Sequence, residues 1–122
     1  MFLSGNLEIQ IYNDSAQTDF PSVLVPKIKR EWSDSSTAEA QLVVVSLAAS
    51  GSQAISMNGL DTVTRMYLYS TAADINVNMN GLGNIQMKYG EPCYAPLSIS
   101  SLTITNTSGS VATTVEVLFI KE

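Results

Sequence analysis

The side chains able to do chemistry are few and scattered. The 122-residue chain has no histidine and a single cysteine, Cys93. Without imidazole there is no Ser-His-Asp or Cys-His nucleophile and no histidine-ligated metal. Cys93 lies in Glu91-Pro92-Cys93-Tyr94-Ala95-Pro96 with no base beside it, and it reads as a half-buried small apolar residue rather than a reactive thiol. Alone it closes no internal disulfide. Asp61, Asp74 and Glu91 are the acids from which a glycoside-hydrolysing pair would be drawn, but acids this dispersed predict no particular separation. Asp74-Ile75-Asn76-Val77-Asn78-Met79-Asn80 sets an oxygen ligand at every second place, as a calcium loop does. An EF-hand needs Gly at the sixth position and Glu at the twelfth, where Met79 and Ile85 stand. The expectation is a non-enzyme with no cofactor and no metal.

Binding chemistry is better represented. Lys27, Lys29 and Arg30, followed by Glu31 and Trp32, make the only local basic cluster. In an extended chain Lys27 and Lys29 share one side. Charge of this kind protects an edge strand from aggregation, or it grips an acidic partner. Trp32, the single tryptophan, either packs into a core or anchors an intersubunit contact. Phe20 to Trp32 is therefore the candidate partner-binding segment. Eleven acids against six bases give a net charge of −5, so a protein partner is expected and nucleic acid is not, there being no cationic excess to displace phosphate counterions. A second candidate surface is for glycan: Tyr67 and Tyr69, two apart and so on one face of their strand, with Asn76 and Asn78, and with Tyr89 and Tyr94 as further aromatics. Asn13-Asp14-Ser15 and Asn106-Thr107-Ser108 match the N-glycosylation pattern but read as turns. Met1 to Gly5 has neither the basic nor the apolar region of a signal peptide, which predicts cytoplasmic synthesis. No run of 18 apolar residues predicts a membrane span.

Strands must position these groups. Charged residues are 14% of the chain, well below the usual ~25%, and Ser, Thr, Asn and Gln take their place, as on all-β surfaces. Leu7 to Tyr12 alternates apolar and polar. Val23 to Arg30 is extended, but Pro26 cannot donate to a ladder and makes it an edge strand or an arm. Ser33 to Thr37 is a polar linker, and Ser36 to Leu42 has room for one helical turn. Gln41 to Leu47, with Val43, Val44 and Val45 in succession, has the pattern of a strand buried on both faces. Gln53–Met57, Val63–Tyr69, Asp74–Asn80, Ile85–Tyr89, Leu97–Asn106 and Val111–Ile120 follow, divided by Gly, Asn and Ser turns. Eight or nine short strands predict an all-β, antiparallel, jelly-roll-like sandwich over 36–122, with residues 1–35 as an N-terminal arm or extra edge strand.

Within that succession the Ser-Thr linker, the valine-rich strand, Arg65-Met66-Tyr67-Leu68-Tyr69-Ser70, the Asp74–Gly81 alternation and the ending Leu102-Thr103-Ile104-Thr105-Asn106-Thr107-Ser108-Gly109-Ser110-Val111 come in order. Over residues 37–122 this resembles the small β-sandwich structural proteins of tailed bacteriophages, found as head decoration, head-to-tail or tail components. The resemblance implies a non-catalytic virion protein, present in many copies and made in the host cytoplasm. Its partners would be the major capsid protein or other virion subunits, and it would form a homo-oligomer, a homotrimer being the first to name. A capsid decoration or cement protein is the function expected. The alternative is a neck or tail component, with the Tyr67, Tyr69, Asn76 and Asn78 surface as a carbohydrate-binding host-recognition site.

Overall fold

The computed structural model describes residues 4–9, 28–33, 39–57 and 59–121, which form ten β-strands and no helix. The chain divides into two compact units, Met1–Ala38 and Glu39–Glu122. In the first, β1 (Ser4–Ile9) pairs antiparallel with β2 (Ile28–Ser33), Glu8 opposite Lys29, Leu7 opposite Arg30 and Gly5 opposite Trp32. They make a two-stranded sheet. Gln10 to Tyr12, Phe20, the 23–27 stretch with Pro26 and Lys27, and the linker over 34–37 lie outside the described residues.

The second unit holds β3 (Glu39–Leu47), β4 (Ser52–Ala54), β5 (Arg65–Ser70), β6 (Ile75–Met79), β7 (Asn84–Met87), β8 (Cys93–Ala95), β9 (Leu102–Asn106) and β10 (Thr113–Lys121). One sheet runs β3-β10-β5-β8 and the other β4-β9-β6-β7, all antiparallel. Each strand of the first half pairs with its counterpart counted from the other end: β3 with β10, β4 with β9, β5 with β8, β6 with β7. The unit is thus one long folded-back ribbon rolled up until β5 meets β10 and β6 meets β9. That is a jelly roll.

Alternation supplies the core. In β5 Met66, Leu68 and Ser70 are buried, in β10 Val115, Val117 and Phe119, and in β9 Leu102 and Ile104. These meet Val45 and Leu47 of β3 and Ile75 and Val77 of β6 between the sheets. Ile55, Met57, Leu60 and Val63 of the β4–β5 connection close one end of the core, where Val63 and Ile99 exchange main-chain hydrogen bonds at 2.8 and 2.9 Å.

Five local expectations are corrected. Glu39 to Leu42 belongs to a strand, not a helical turn. β4 stops at Ala54, because β9 ends at Leu102 and leaves Ile55 one last ladder-like bond, to Leu102 O. Ile55 and Met57 still alternate inward, so the period reports burial rather than pairing. The segment before β9 holds a separate short strand, β8, between the two prolines. Cys93 is exposed, not half-buried, because β8 is an edge strand and its inward side lies at the rim of the sandwich. The fifth correction, at the outer face of β3, bears on function.

Candidate functional site

The reactive groups do not converge. Among the described residues no group of three His, Cys, Asp or Glu side chains could hold a metal ion. Asp61 lies in the β4–β5 connection and Asp74 in the β5–β6 connection, at opposite ends of β5, so they form no pair. Asp74 instead ties loops together. Its Oδ1 accepts the Tyr89 N–H at 3.0 Å, its Oδ2 is 3.6 Å from Lys88 Nζ, and its main-chain oxygen accepts the Thr107 hydroxyl at 2.7 Å.

Two asparagines, Asn80 and Asn106, are structural as well. Asn80 adopts φ 56° and holds the 98–101 segment: its Oδ1 accepts Ser100 N–H at 2.7 Å and its Nδ2 donates to Ser98 O at 3.0 Å. Asn106 is buried at the end of β9. Its Nδ2 donates to Ala48 O and Val111 O at 3.1 and 2.8 Å, and its Oδ1 accepts Ser108 N–H at 2.9 Å. An amide with both hydrogens engaged and no exposure cannot accept a glycan, so the Asn106-Thr107-Ser108 match is a turn. Below it, Ser70 and Thr113 form a buried polar pair. The Ser70 hydroxyl donates to Ala73 O at 2.7 Å, so the 2.9 Å contact between the two hydroxyls is donated by Thr113, whose oxygen also accepts Ala72 and Ala73 N–H. A shallow depression of about 250 Å³ next to this pair is lined by Ser46, Leu47, Ala48, Thr71, Ala112, Thr113 and Thr114, none of them charged.

What remains is the two outer faces, and they differ in kind. On the β4-β9-β6-β7 sheet the register makes two outward rows, Ser52–Thr105–Asn76–Gln86 and Ala54–Thr103–Asn78–Asn84. They are uncharged and almost wholly polar, and Ser52 and Thr105 hydroxyls meet at 2.8 Å. On the β3-β10-β5-β8 sheet the rows are Ala40–Ile120–Arg65, where Ile120 is buried, Leu42–Leu118–Tyr67–Tyr94 and Val44–Glu116–Tyr69. Leu42 is 58% and Val44 59% exposed. Burial raises the Tyr67 phenol above its ordinary pKa, and the nearby Glu116 carboxylate and Tyr69 add to the rise.

The predicted glycan surface is therefore divided. Tyr67 and Tyr69 are on the outer face of one sheet, with Tyr94 beside Tyr67, while Asn76 and Asn78 are on the outer face of the other, across the sandwich. Tyr89 is exposed in the β7–β8 connection. Of the predicted arm residues, Lys29, Arg30 and Trp32 take consecutive or near positions on β2, and Phe20 and Lys27 lie outside the described residues.

The surface that sequence reasoning missed is Leu42 and Val44. β3 was expected to be buried on both faces; it is buried on one, Val45 and Leu47 inward, and open on the other. The missing signal was that β3 is an edge strand, which only the strand order reveals. A further exposed apolar residue is Leu82, 87% exposed at the tip of the β6–β7 hairpin beside Gly83, whose φ of 117° the turn requires. Compared with protein-family models, with curated proteins and with solved structures, the chain has no match, and the two unlike faces are what its function must be read from.

Proposed function

We propose that this chain is a non-enzymatic structural protein of a bacteriophage virion, a capsid decoration or cement protein that docks on the major capsid protein and stabilises the shell. The observation that carries the reading is the apolar outer face of the β3-β10-β5-β8 sheet, where Leu42 and Val44 stand more than half exposed beside Leu118 and three tyrosines. Exposed apolar side chains set side by side on a charge-poor protein are a place for covering by protein. Of the candidate acids, Asp74 holds loops together, and Asp61 lies at the other end of β5 from it. A jelly roll by itself carries no function; the resemblance of residues 37–122 to phage β-sandwich proteins supplies the virion context. Phe20, Lys27, Lys29, Arg30 and Trp32 are the proposed capsid contacts. Binding many copies to the assembled shell and not to its dissociated subunits stabilises it by mass action.

A neck or tail component that binds host glycan is the second reading, favoured by the rows around Asn76 and Asn78. It lacks an aromatic floor beside the amides, since the sheets of a sandwich lie about 10 Å apart and the tyrosines Tyr67, Tyr69 and Tyr94 are on the far one. The decisive experiment is co-sedimentation of the purified protein with capsids of its virus lacking it. Saturable binding at a fixed ratio to the capsid subunit is expected, with a rise in the temperature at which the shell breaks. Absence of binding, with hits on a glycan array, overturns the decoration reading in favour of the tail.

A further inference from the structure

We infer that the chain forms a two-fold dimer through β3, two copies of which pair antiparallel and join their four-stranded sheets into one sheet of eight strands. The sandwich has four edge strands, β3, β8, β4 and β7. β8 is three residues long and bracketed by Pro92 and Pro96; β4 is three residues; β7 is four and is followed by Lys88. Short strands, proline and lysine are the usual guards of a sheet edge. β3 has none of them. It runs nine residues, Glu39–Leu47, without lysine, arginine or proline. It pairs with β10 on one side, and among the described residues its other side has no partner strand.

The occupant follows from charge and register. Glu39, the only charged residue of β3, stands at its first position. In a parallel self-pairing it would face its own copy. In an antiparallel pairing centred on Val43 all nine residues find partners and Glu39 lies opposite Leu47, so like charges are about 27 Å apart along the strand. The same register sets Leu42 opposite Val44 of the second copy, and Val44 opposite Leu42. Both are outward-facing, because an antiparallel pairing with Val43 opposite itself matches outward with outward positions. The two most exposed apolar residues of the sheet would then cover one another across the new ladder. Nine paired residues supply about eight to ten main-chain hydrogen bonds, comparable to the ten or so of an ordinary protein interface. Two-fold symmetry is the commonest closed form of a homo-oligomer, and the inference replaces the homotrimer expected from sequence. It is a property of the isolated chain and does not depend on the virion reading.

The test is the solution mass of the full-length protein together with site-directed cross-linking. At tens of micromolar a mass of twice 13.1 kDa is expected. Val44→Lys, which sets a lysine opposite Leu42 of the second copy and beside Glu116 of its own, is expected to halve that mass while far-UV circular dichroism stays unchanged. Gln86→Lys, on the exposed β7 of the other sheet, is expected to leave the mass unchanged. Register is read with Val43→Cys in a Cys93→Ser background. Oxidation is expected to give a covalent dimer, because position 43 meets itself at the axis within disulfide reach. Ser46→Cys in the same background is expected to give none, its two copies being about 20 Å apart. A wild-type monomer or trimer overturns the inference, as does a Val44→Lys variant that stays dimeric or a Ser46→Cys that links as readily as Val43→Cys. Capsid binding by a monomer would sink the dimer and leave the proposed function standing.

Discussion

At the scale of the residue, polar side chains at the strand ends hold the chain to itself. Asn106 is the clearest. Removing its amide leaves Val111 O and Ser108 N–H without that partner at a buried site, and Ala48 O with the Gly51 N–H alone. Asn106→Ala is expected to cost about 2–3 kcal/mol, measured as a lower urea midpoint at unchanged slope; a change within about 0.5 kcal/mol would show that water replaces the amide. Tyr67 makes a prediction about pH. Its phenol is raised first by burial and then by Glu116 and Tyr69. Below pH about 10 the folded and unfolded chains both keep that proton. As pH rises past the ordinary tyrosine value, the unfolded chain loses it first, so this contribution to stability falls with rising pH. In a spectrophotometric titration Tyr67→Phe should remove a late-titrating phenol, and Glu116→Gln should move it earlier without restoring the ordinary value, since burial is the larger cause. A titration that Glu116→Gln leaves untouched would refute the carboxylate's share.

At the scale of the element, the loops at one end of the sandwich are fastened in series. The β3–β4 turn donates from Ser50 N–H to Ser108 O and accepts Asn106 N–H at Gly51 O, both at 2.8 Å, and Thr107 reaches Asp74 O in turn. Gly51 is the tight point: a Cβ there would sit 2.9 Å from Ala48 O, a main-chain atom that cannot swing away. Gly51→Ala should therefore destabilise by about 1 kcal/mol or more and loosen the 107–112 loop, read as faster amide hydrogen exchange there. Protection unchanged at both turns would mean that the turn gives way at no cost. β3 shows the converse case, a strand whose sequence pattern is correct about its inner side and silent about its outer one. Val45 and Leu47 are held inward, while Val44, next to Val45 in the chain, faces out.

At the scale of the whole molecule, the sandwich leaves Leu42 and Val44 exposed on the outer face of its edge strand β3. A dimer through β3 predicts that the melting temperature rises with protein concentration, as it must when folding and association are linked. The Val44→Lys variant should melt at a temperature independent of concentration, and a wild-type curve that is equally flat contradicts the linkage. Much of the architecture was legible beforehand. The alternation of Asp74 to Asn80 and of Leu102 to Asn106, the Gly, Asn and Ser turns and the absence of any helical stripe determined an all-β sandwich with these inward residues, because a period of two is a local property of a strand with one buried side. The lack of histidine likewise settled which chemistries were out of reach. Which strands are neighbours is a matter of long-range pairing, and no local pattern records it. Strand order alone put Tyr67 and Asn76 on opposite faces, left Cys93 on an exposed edge, and made a valine-rich strand an open edge instead of a buried centre. Burial follows from neighbours, and neighbours are set only when the chain has closed on itself.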